Sequence, residues 1–420
     1  MPRWRPLRTS TLARGLGYGL VAGAAVQAVA IAGVVTVDEV RKRRTTPEIE
    51  WPRVAPTPVE VAGSRVTTYT HGGDLFGDML AAIRSATTAI YFETYIWKGD
   101  EVGEEFKAAL VAAARRGVDV YIIYDAFANL VVRPQFFRFP DKPPNLHVLR
   151  FPVFRPGLLH LDLRHTGRDH RKILVVDGQV GFVGGYNIGG FYATHWRDTH
   201  LRVEGPSVWE VENAFVDFWN EFRGEDLPEL ADRGAASWEA RIQAARNAPS
   251  RMLFPVRGLY LRAIDRAVHR VYITQAYFIP DDEIKHSLLA AARRGADVRI
   301  LVPEFSNHIL ADWVARGYFT ELLEGGVTIW LYRNAMVHAK TATVDGRWST
   351  VGTANIDRLS LLGNYEVNLE LYSDEHARHM EEVFAKDLTN CRQLTLEEWR
   401  RRGLLARVTE RILAPLHPLL

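Results

Sequence analysis

Cysteine is almost missing from these 420 residues: Cys391 stands alone, which excludes an intramolecular disulfide framework and a cysteine-rich zinc site. Lysine is scarce as well, with eight among the 52 lysines and arginines, so a lysine inside a motif carries weight. The chain lacks an excess of either charge; 50 acidic residues leave a formal net charge of +2. That balance gives no support to a nucleic-acid partner, whose backbone calls for a basic groove. Uncharged runs long enough to cross a membrane are scarce too; the longest lies near the N-terminus. What is present is ordinary for globular protein, 47% hydrophobic and 24% charged residues, over a length that suits two or three domains.

That run extends from Gly15 to Val37, long enough to cross ~30 Å of hydrocarbon as a helix. Arg3, Arg5, Arg8 and Arg14 precede it, and Arg41, Lys42, Arg43 and Arg44 follow, so the flanks leave its orientation open. It reads as a transmembrane helix. The alternatives are a cleaved signal sequence, given the Ala28-Val29-Ala30 string, and a buried helix. Residues 1–14 form a basic tail, 15–37 the membrane segment, and 38–65 a linker that is basic and Pro-rich in its first part.

Two α/β units follow, at 66–250 and 251–395. Glu104 to Arg116 and Asp282 to Arg294 read as helices closed by Gly117 and Gly295. Apolar strand-like runs flank them, Thr88 to Trp97 and Val118 to Tyr124 in one unit, Val271 to Ile279 and Ala296 to Val302 in the other. Strand–helix–strand alternation predicts a largely parallel sheet in each unit, and equal units predict packing about a pseudo-twofold. Between 127 and 163 lies a Phe-rich loop, read either as a cover for the core or as an apolar lip for acyl chains. Residues 396–420 form a basic amphipathic tail, suited to an anionic membrane surface or to docking on the protein itself.

One constellation occurs twice. His170, Lys172, Asp177, Gly184, Asn187 and Asp198 recur as His338, Lys340, Asp345, Gly352, Asn355 and Glu366, each 168 residues on. In extended chain, His-x-Lys directs both side chains to one face. Two imidazoles facing across an interface can divide phosphoryl transfer, one attacking phosphorus while neutral, the other protonating the leaving alcohol. Two lysines with Asn187 and Asn355 can hold the phosphate oxygens. Asp198 and Glu366 supply the acceptor that keeps an imidazole in its working tautomer, and the repeat suggests that each half brings its own. Asp177 and Asp345, before Gly178 and Gly346, are expected to fix turns. Between these positions the sequence has drifted, Ile173-Leu174-Val175 against Thr341-Ala342-Thr343, so retention of the polar set favours a working site.

At these residues the chain resembles the phospholipase D superfamily, whose mark is a duplicated His-x-Lys-x4-Asp, and more narrowly the bacterial cardiolipin synthases. Trp196-Arg-Asp-Thr-His-Leu-Arg-Val-Glu-Gly205 and Gly352-Thr-Ala-Asn-Ile-Asp357 add to the likeness, which runs from about Tyr69 to the end. The resemblance implies a catalytic set of His170, Lys172, Asp177, His338, Lys340 and Asp345, with His170 as nucleophile and His338 as general acid. It implies phosphate contacts from Asn187, Asn355 and Thr353, orientation of the histidines by Asp198 and Glu366, and neither metal nor cofactor. It implies transfer of a phosphatidyl group from one phosphatidylglycerol to another through a phosphohistidine, with release of glycerol. Many relatives carry Gly-Ser where this chain has Gly184-Gly185 and Gly352-Thr353, and often two N-terminal membrane helices where one is found here. The resulting expectation is a phosphatidyltransferase at the cell membrane, held by a single-pass anchor with its catalytic part on the cytoplasmic side. The alternatives are a phospholipase D-type hydrolase, a nuclease-like phosphodiesterase, and a non-catalytic lipid-binding scaffold.

Overall fold

The computed structural model describes residues 29, 31–34, 36, 51–154, 167–235, 237 and 240–415. The strands of the first half are β1 (Thr57–Val61), β2 (Ser64–Tyr69), β3 (Ala89–Thr94), β4 (Asp119–Asp125), β5 (Leu146–Phe151), β6 (Ile173–Val176), β7 (Val180–Gly184), β8 (Trp196–Arg197) and β9 (His200–Glu204). Those of the second are β10 (Ile242–Asn247), β11 (Arg270–Gln275), β12 (Asp297–Pro303), β13 (Thr328–Tyr332), β14 (Met336–Val337), β15 (Lys340–Val344), β16 (Trp348–Gly352), β17 (Glu366–Tyr372) and β18 (Cys391–Leu394). They build two eight-stranded sheets, β1-β2-β9-β7-β6-β3-β4-β5 and β10-β17-β16-β15-β11-β12-β13-β18. Six strands of each correspond in order, and the sheets differ at their edges.

The sheets are mixed rather than largely parallel. β3, β4 and β5 run parallel, but β6, β7 and β9 are joined antiparallel. The reason is local. Asp177-Gly178 turns with positive φ at both residues, and so short a link between β6 and β7 allows only an antiparallel pair. Both faces of the central strands are covered: Ile173 to Val176 and Lys340 to Val344 are buried throughout, the pattern of a sheet packed on two sides.

The string Ala-Ala-Arg-Arg-Gly ends the corresponding helix of each half, at 113–117 and 291–295, and this repetition has a structural cause. Helix Glu101–Arg115 starts at Asp100, which accepts from Gly103 N, and helix Asp282–Arg293 starts at Asp281, which accepts from Ile284 N. Both are followed by a glycine in the left-handed region, Gly117 (φ 99) and Gly295 (φ 94). In each string the second arginine reaches the end of the neighbouring helix, Arg116 at Ile83 O and Ala86 O, Arg294 at Ile264 O and Ala267 O, so a cation caps carbonyls left open there.

The halves share one interior. Phe215, Phe218 and Trp219 of helix Val208–Phe222 lie in the same apolar cluster as Val351, Tyr365 and Val367. Burial of each such side chain stabilises by about 1.5–3 kcal/mol, so neither half is a closed unit. β10 pairs with β17. The first unit, read as 66–250, therefore already holds the opening strand of the second sheet. Likewise the span 38–65, read as linker, holds β1 and the start of β2, because Val59 and Val61 alternate into the core.

Most of the run 15–37 lies outside the described residues, and among the described residues no helix is long and apolar enough to cross a membrane. The Phe-rich loop, described as far as 154, serves partly as cover: Phe136 and Phe137 pack edge-on against Trp97, while Leu130 and Val131 are exposed. The tail docks through Trp399 and Leu413, which are buried, but leaves Leu404 and Leu405 in solvent.

Candidate active site

The two motifs meet in one place because the halves clasp each other by their backbones. His170 enters β6 and donates its N–H to Tyr365 O at 3.0 Å; His338 precedes β15 and donates to Arg197 O at 2.7 Å. Asp169 bridges Tyr365 in parallel, and Val337 pairs with Arg197 in the same way. The residue after each acceptor is a carboxylate. Glu366 therefore lies beside His170, with both oxygens 3.0 Å from Nδ1. Asp198 lies beside His338, with Oδ2 2.6 Å from Nδ1. The expectation that each half supplies its own orienting carboxylate is thus corrected: the pairs are crossed, since the clasp brings each carboxylate to the opposite histidine.

Lys172 Nζ donates to His170 O, and Lys340 Nζ to His338 O, so His and Lys of each motif do share a face. Asn187 and Asn355 are both buried. The side-chain oxygen of Asn187 accepts from Ile96 N at 3.1 Å, which leaves its NH₂ end for a ligand. Asn355 keeps an oxygen without a partner among the described residues, a buried amide end that a ligand or a water would satisfy.

Thr353, Asp177 and Asp345 sit otherwise than the resemblance implies, although the two aspartates take the turn-fixing place expected from the glycines that follow them. The Thr353 hydroxyl donates to Glu366 Oε2 at 2.5 Å and accepts from Val367 N at 3.0 Å. It is fully buried, so its hydrogen bonds go to the carboxylate behind His170 and not to a phosphate. Asp177 and Asp345, counted with the catalytic set, lie at the far ends of β6 and β15. Asp177 accepts from Thr87 N, Thr88 N and Ala89 N, Asp345 from Val268 N, His269 N and Arg270 N; each pins the entry to the neighbouring strand. Opposite Thr353 the first half has Gly185, where an added Cβ would lie 2.1 Å from Asp198 Oδ1. No hydroxyl fits there, because the carboxylate fills the space.

Burial dominates the electrostatics. It draws His170 well below its ordinary value, with the charges of Lys172 and Lys340 adding to the effect, and takes His338 down to about 3, again helped by Lys340. Both imidazoles are therefore neutral in the empty site. Burial also lowers Lys172 to about 7 and Lys340 to about 8, and raises Glu366 to about 8. Asp198 differs: burial raises it, but Lys340 and His338 outweigh that and hold it below the usual range. The two histidine–carboxylate pairs are thus unequal, with His338 on a firm anion and His170 on a carboxyl that holds its proton more tightly.

Sequence reasoning missed two tyrosines. The Tyr95 ring meets His170 edge-on at 4.7 Å between centroids, and Tyr277 meets His338 at 6.2 Å. The signal was there, since each follows the equivalent strand, β3 or β11. Also missed was a buried cluster in the first half, where Arg171 pairs with Glu93 and Asp169 and lies over the ring of Phe218. The second motif has Ala339 and Val337 at the matching places, so nothing in the repeat pointed to it.

The family description "Cardiolipin synthase, PLD-like domain" matches residues 79–219 and 260–388, once in each half. The major cardiolipin synthase ClsA of Bacillus subtilis is 33% identical over 370 residues, covering 84% of this chain and 75% of that one. A cardiolipin synthase of Clostridium perfringens is 32% identical over 372 residues, covering 84% and 77%. Among solved structures, phosphatidylserine synthase of Haemophilus influenzae shares the fold, with a TM-score of 0.67 at 14% identity over 88% of this chain and 95% of that one. Matched in both halves, with both histidines, both lysines and both carboxylates gathered at one site, the chain belongs to the cardiolipin synthase family of phospholipase D-like enzymes.

Proposed function

We propose that this enzyme is a membrane-associated cardiolipin synthase that joins two phosphatidylglycerols and releases glycerol. One observation carries the reading: two neutral histidines share a site, each held at Nδ1 by a carboxylate of the other half. His170 Nε2 attacks phosphorus while its Nδ1–H is held by Glu366, and the bond from phosphorus to the glycerol oxygen breaks. The negative charge of the entering phosphodiester lets His338 take up a second proton from water, and the imidazolium, held at Nδ1 by the Asp198 carboxylate, gives that oxygen the proton from Nε2. A hydroxyl of a second phosphatidylglycerol then returns a proton to His338 and attacks phosphorus, and the P–N bond to His170 breaks. His170 takes the nucleophile's part because its side chain is the more open, 12% exposed against 6% for His338. Lys172, Lys340 and the NH₂ end of Asn187 offset charge on the phosphoryl oxygens as it grows. An entering phosphodiester brings the negative charge that keeps both lysines protonated. No step calls for a metal or another cofactor. The run 15–37 serves as a single-pass anchor, with the catalytic part on the cytoplasmic side.

Purified full chain given labelled phosphatidylglycerol without added metal should yield cardiolipin and glycerol, and His170→Ala should yield neither. Phosphatidic acid as the sole lipid product would make the enzyme a hydrolase instead.

A further inference from the structure

The strand directions give the molecule a site end and a far end. β4 runs parallel to β3, and β7 does so through two antiparallel steps, so their C-terminal ends lie with Tyr95 and His170. In the second half β12, β16 and β10 end beside Tyr277 and His338 in the same way. The loops that leave these ends carry large apolar side chains in solvent. Leu130 and Val131, the latter 82% exposed, follow β4, and Phe191 follows β7; Leu253, Phe305 and Leu359 follow β10, β12 and β16. Of the exposed large apolar side chains on the strands of the two sheets and the loops between them, those at the far end are Val268 and Tyr372. The exposed apolar surface is therefore gathered around the mouth of the site.

The tail extends this ring. Its last described residues, Ala414 and Pro415, line a hollow with Ile279 and Leu362, at the same end. Helix Leu404–Leu413 turns Leu413 into the core, yet Leu404 and Leu405 stay 77% and 80% exposed. Arg401, Arg407 and Arg411 stand exposed around them, as Arg133, Arg138 and Lys142 do beside Val131, with Asp141 the acid in that loop.

We propose that this ring is a docking face for an anionic phospholipid bilayer, seated so that the leaflet opens directly into the mouth. Apolar side chains interleaved with guanidinium groups match the boundary between acyl chains and lipid phosphates. A protein seated on the same ring would close the site, whereas a leaflet supplies it with substrate without the lipid crossing water. The inference rests on the reading that the substrate is a bilayer phospholipid. It adds an orientation that the N-terminal segment alone would not impose, because a tether fixes position but not which face meets the membrane.

The test places a single fluorescent label on the full chain, in a Cys391→Ser background, through Val131→Cys, Leu405→Cys or, at the far end, Val268→Cys. The chain is reconstituted into vesicles of phosphatidylglycerol or of phosphatidylcholine that carry a quencher on the acyl chains. Labels at 131 and 405 should be quenched several-fold more than the label at 268, and more so in phosphatidylglycerol. Quenching at 131 and 405 no greater than at 268 overturns the docking face. Product analysis on the same vesicles separates the two claims. Cardiolipin formed with 131 and 405 unquenched defeats the docking alone. Quenching at both without cardiolipin supports the docking and counts against the proposed reaction.

Discussion

Asp177 carries the name of the motif, yet its carboxylate is engaged at the far end of β6, and removing it should cost stability before it costs chemistry. It accepts from Thr87 N, Thr87 Oγ1, Thr88 N and Ala89 N, at 2.8 to 2.9 Å. A hydrogen bond to a charged acceptor stabilises by about 1.5–3 kcal/mol. Thr87 and Thr88 are exposed, so water takes over most of their share, and the Ala89 bond dominates. Asp177 also sits at φ 53, which Asp and Asn tolerate and alanine resists by roughly 1 kcal/mol. Asp177→Ala should therefore destabilise by about 3 kcal/mol, roughly 2 from bonding and roughly 1 from backbone. Asp177→Asn, which keeps an acceptor and the conformation, should lose about 1 kcal/mol. Burial raises the Asp177 pKa, but the three backbone donors outweigh it and the net shift is downward. Its contribution is thus present above the unfolded carboxylate's pKa of about 4 and fades as pH falls through the lower folded value. Thermal midpoints and turnover measured on the same preparations decide the matter. Asp177→Asn with an unchanged midpoint and a hundredfold loss of kcat would refute the structural role.

Three further outcomes follow from the site. Sulfate, which does not titrate in this range, should inhibit most strongly below about pH 7 and progressively less as pH rises through the values of Lys172 (about 7) and Lys340 (about 8), because a lysine loses its charge above its pKa; Lys172→Arg, charged throughout, should shift that weakening toward Lys340's range, and an inhibition constant flat from pH 6 to 9 in the parent enzyme would contradict the assignment. Thr353→Val removes the hydroxyl from Glu366 Oε2 and should lower kcat by roughly 10- to 100-fold, the equivalent of about 1.5–3 kcal/mol, with KM little changed; Thr353→Ser should recover most of it, and equal losses in both would point to packing alone. Gly185→Ala sets a methyl where Asp198 Oδ1 stands, so the carboxylate must leave His338, and turnover should drop by more than about 100-fold in a chain whose near-ultraviolet circular dichroism is retained; parent-like turnover would refute the crowding.

The helices bounded by Asp100 and Gly117, and by Asp281 and Gly295, could be read from the chain because caps and left-handed glycines act over a few residues. The site's membership was legible too, since an offset of 168 ties its members together. Its wiring was not. A repeat states that Asp198 and Glu366 are equivalent, and remains silent on whether each faces its own histidine or the other's; that choice is made by backbone pairing between residues nearly 200 apart, His170 with Tyr365. β10 was misplaced for the same reason, as its partner β17 lies more than a hundred residues on. Thr353 was assigned to phosphate by analogy with a hydroxyl at that place, and only the packing reveals that the carboxylate stands nearer.

The crossed pairs bear on why both halves are kept in one chain. If each carboxylate served its own histidine, either half would hold a complete dyad and the second could decay into a scaffold. Here His170 without the second half loses Glu366, Tyr365 O and the Thr353 that holds Glu366, while His338 without the first loses Asp198 and Arg197 O. Arg197 is itself fixed by the second half, through Asp387 Oδ1 and Oδ2. Each half therefore builds the other's dyad, and the differences between them accumulate only where this exchange permits, as with Gly185 under Asp198 and Thr353 against Glu366. The two dyads are also unequal: burial raises Glu366, so that it holds its proton more tightly, whereas Lys340 and His338 keep Asp198 anionic. A reaction in which one imidazole attacks and the other protonates is served by that inequality, since a firm anion behind His338 favours its imidazolium more than the carboxyl behind His170 does.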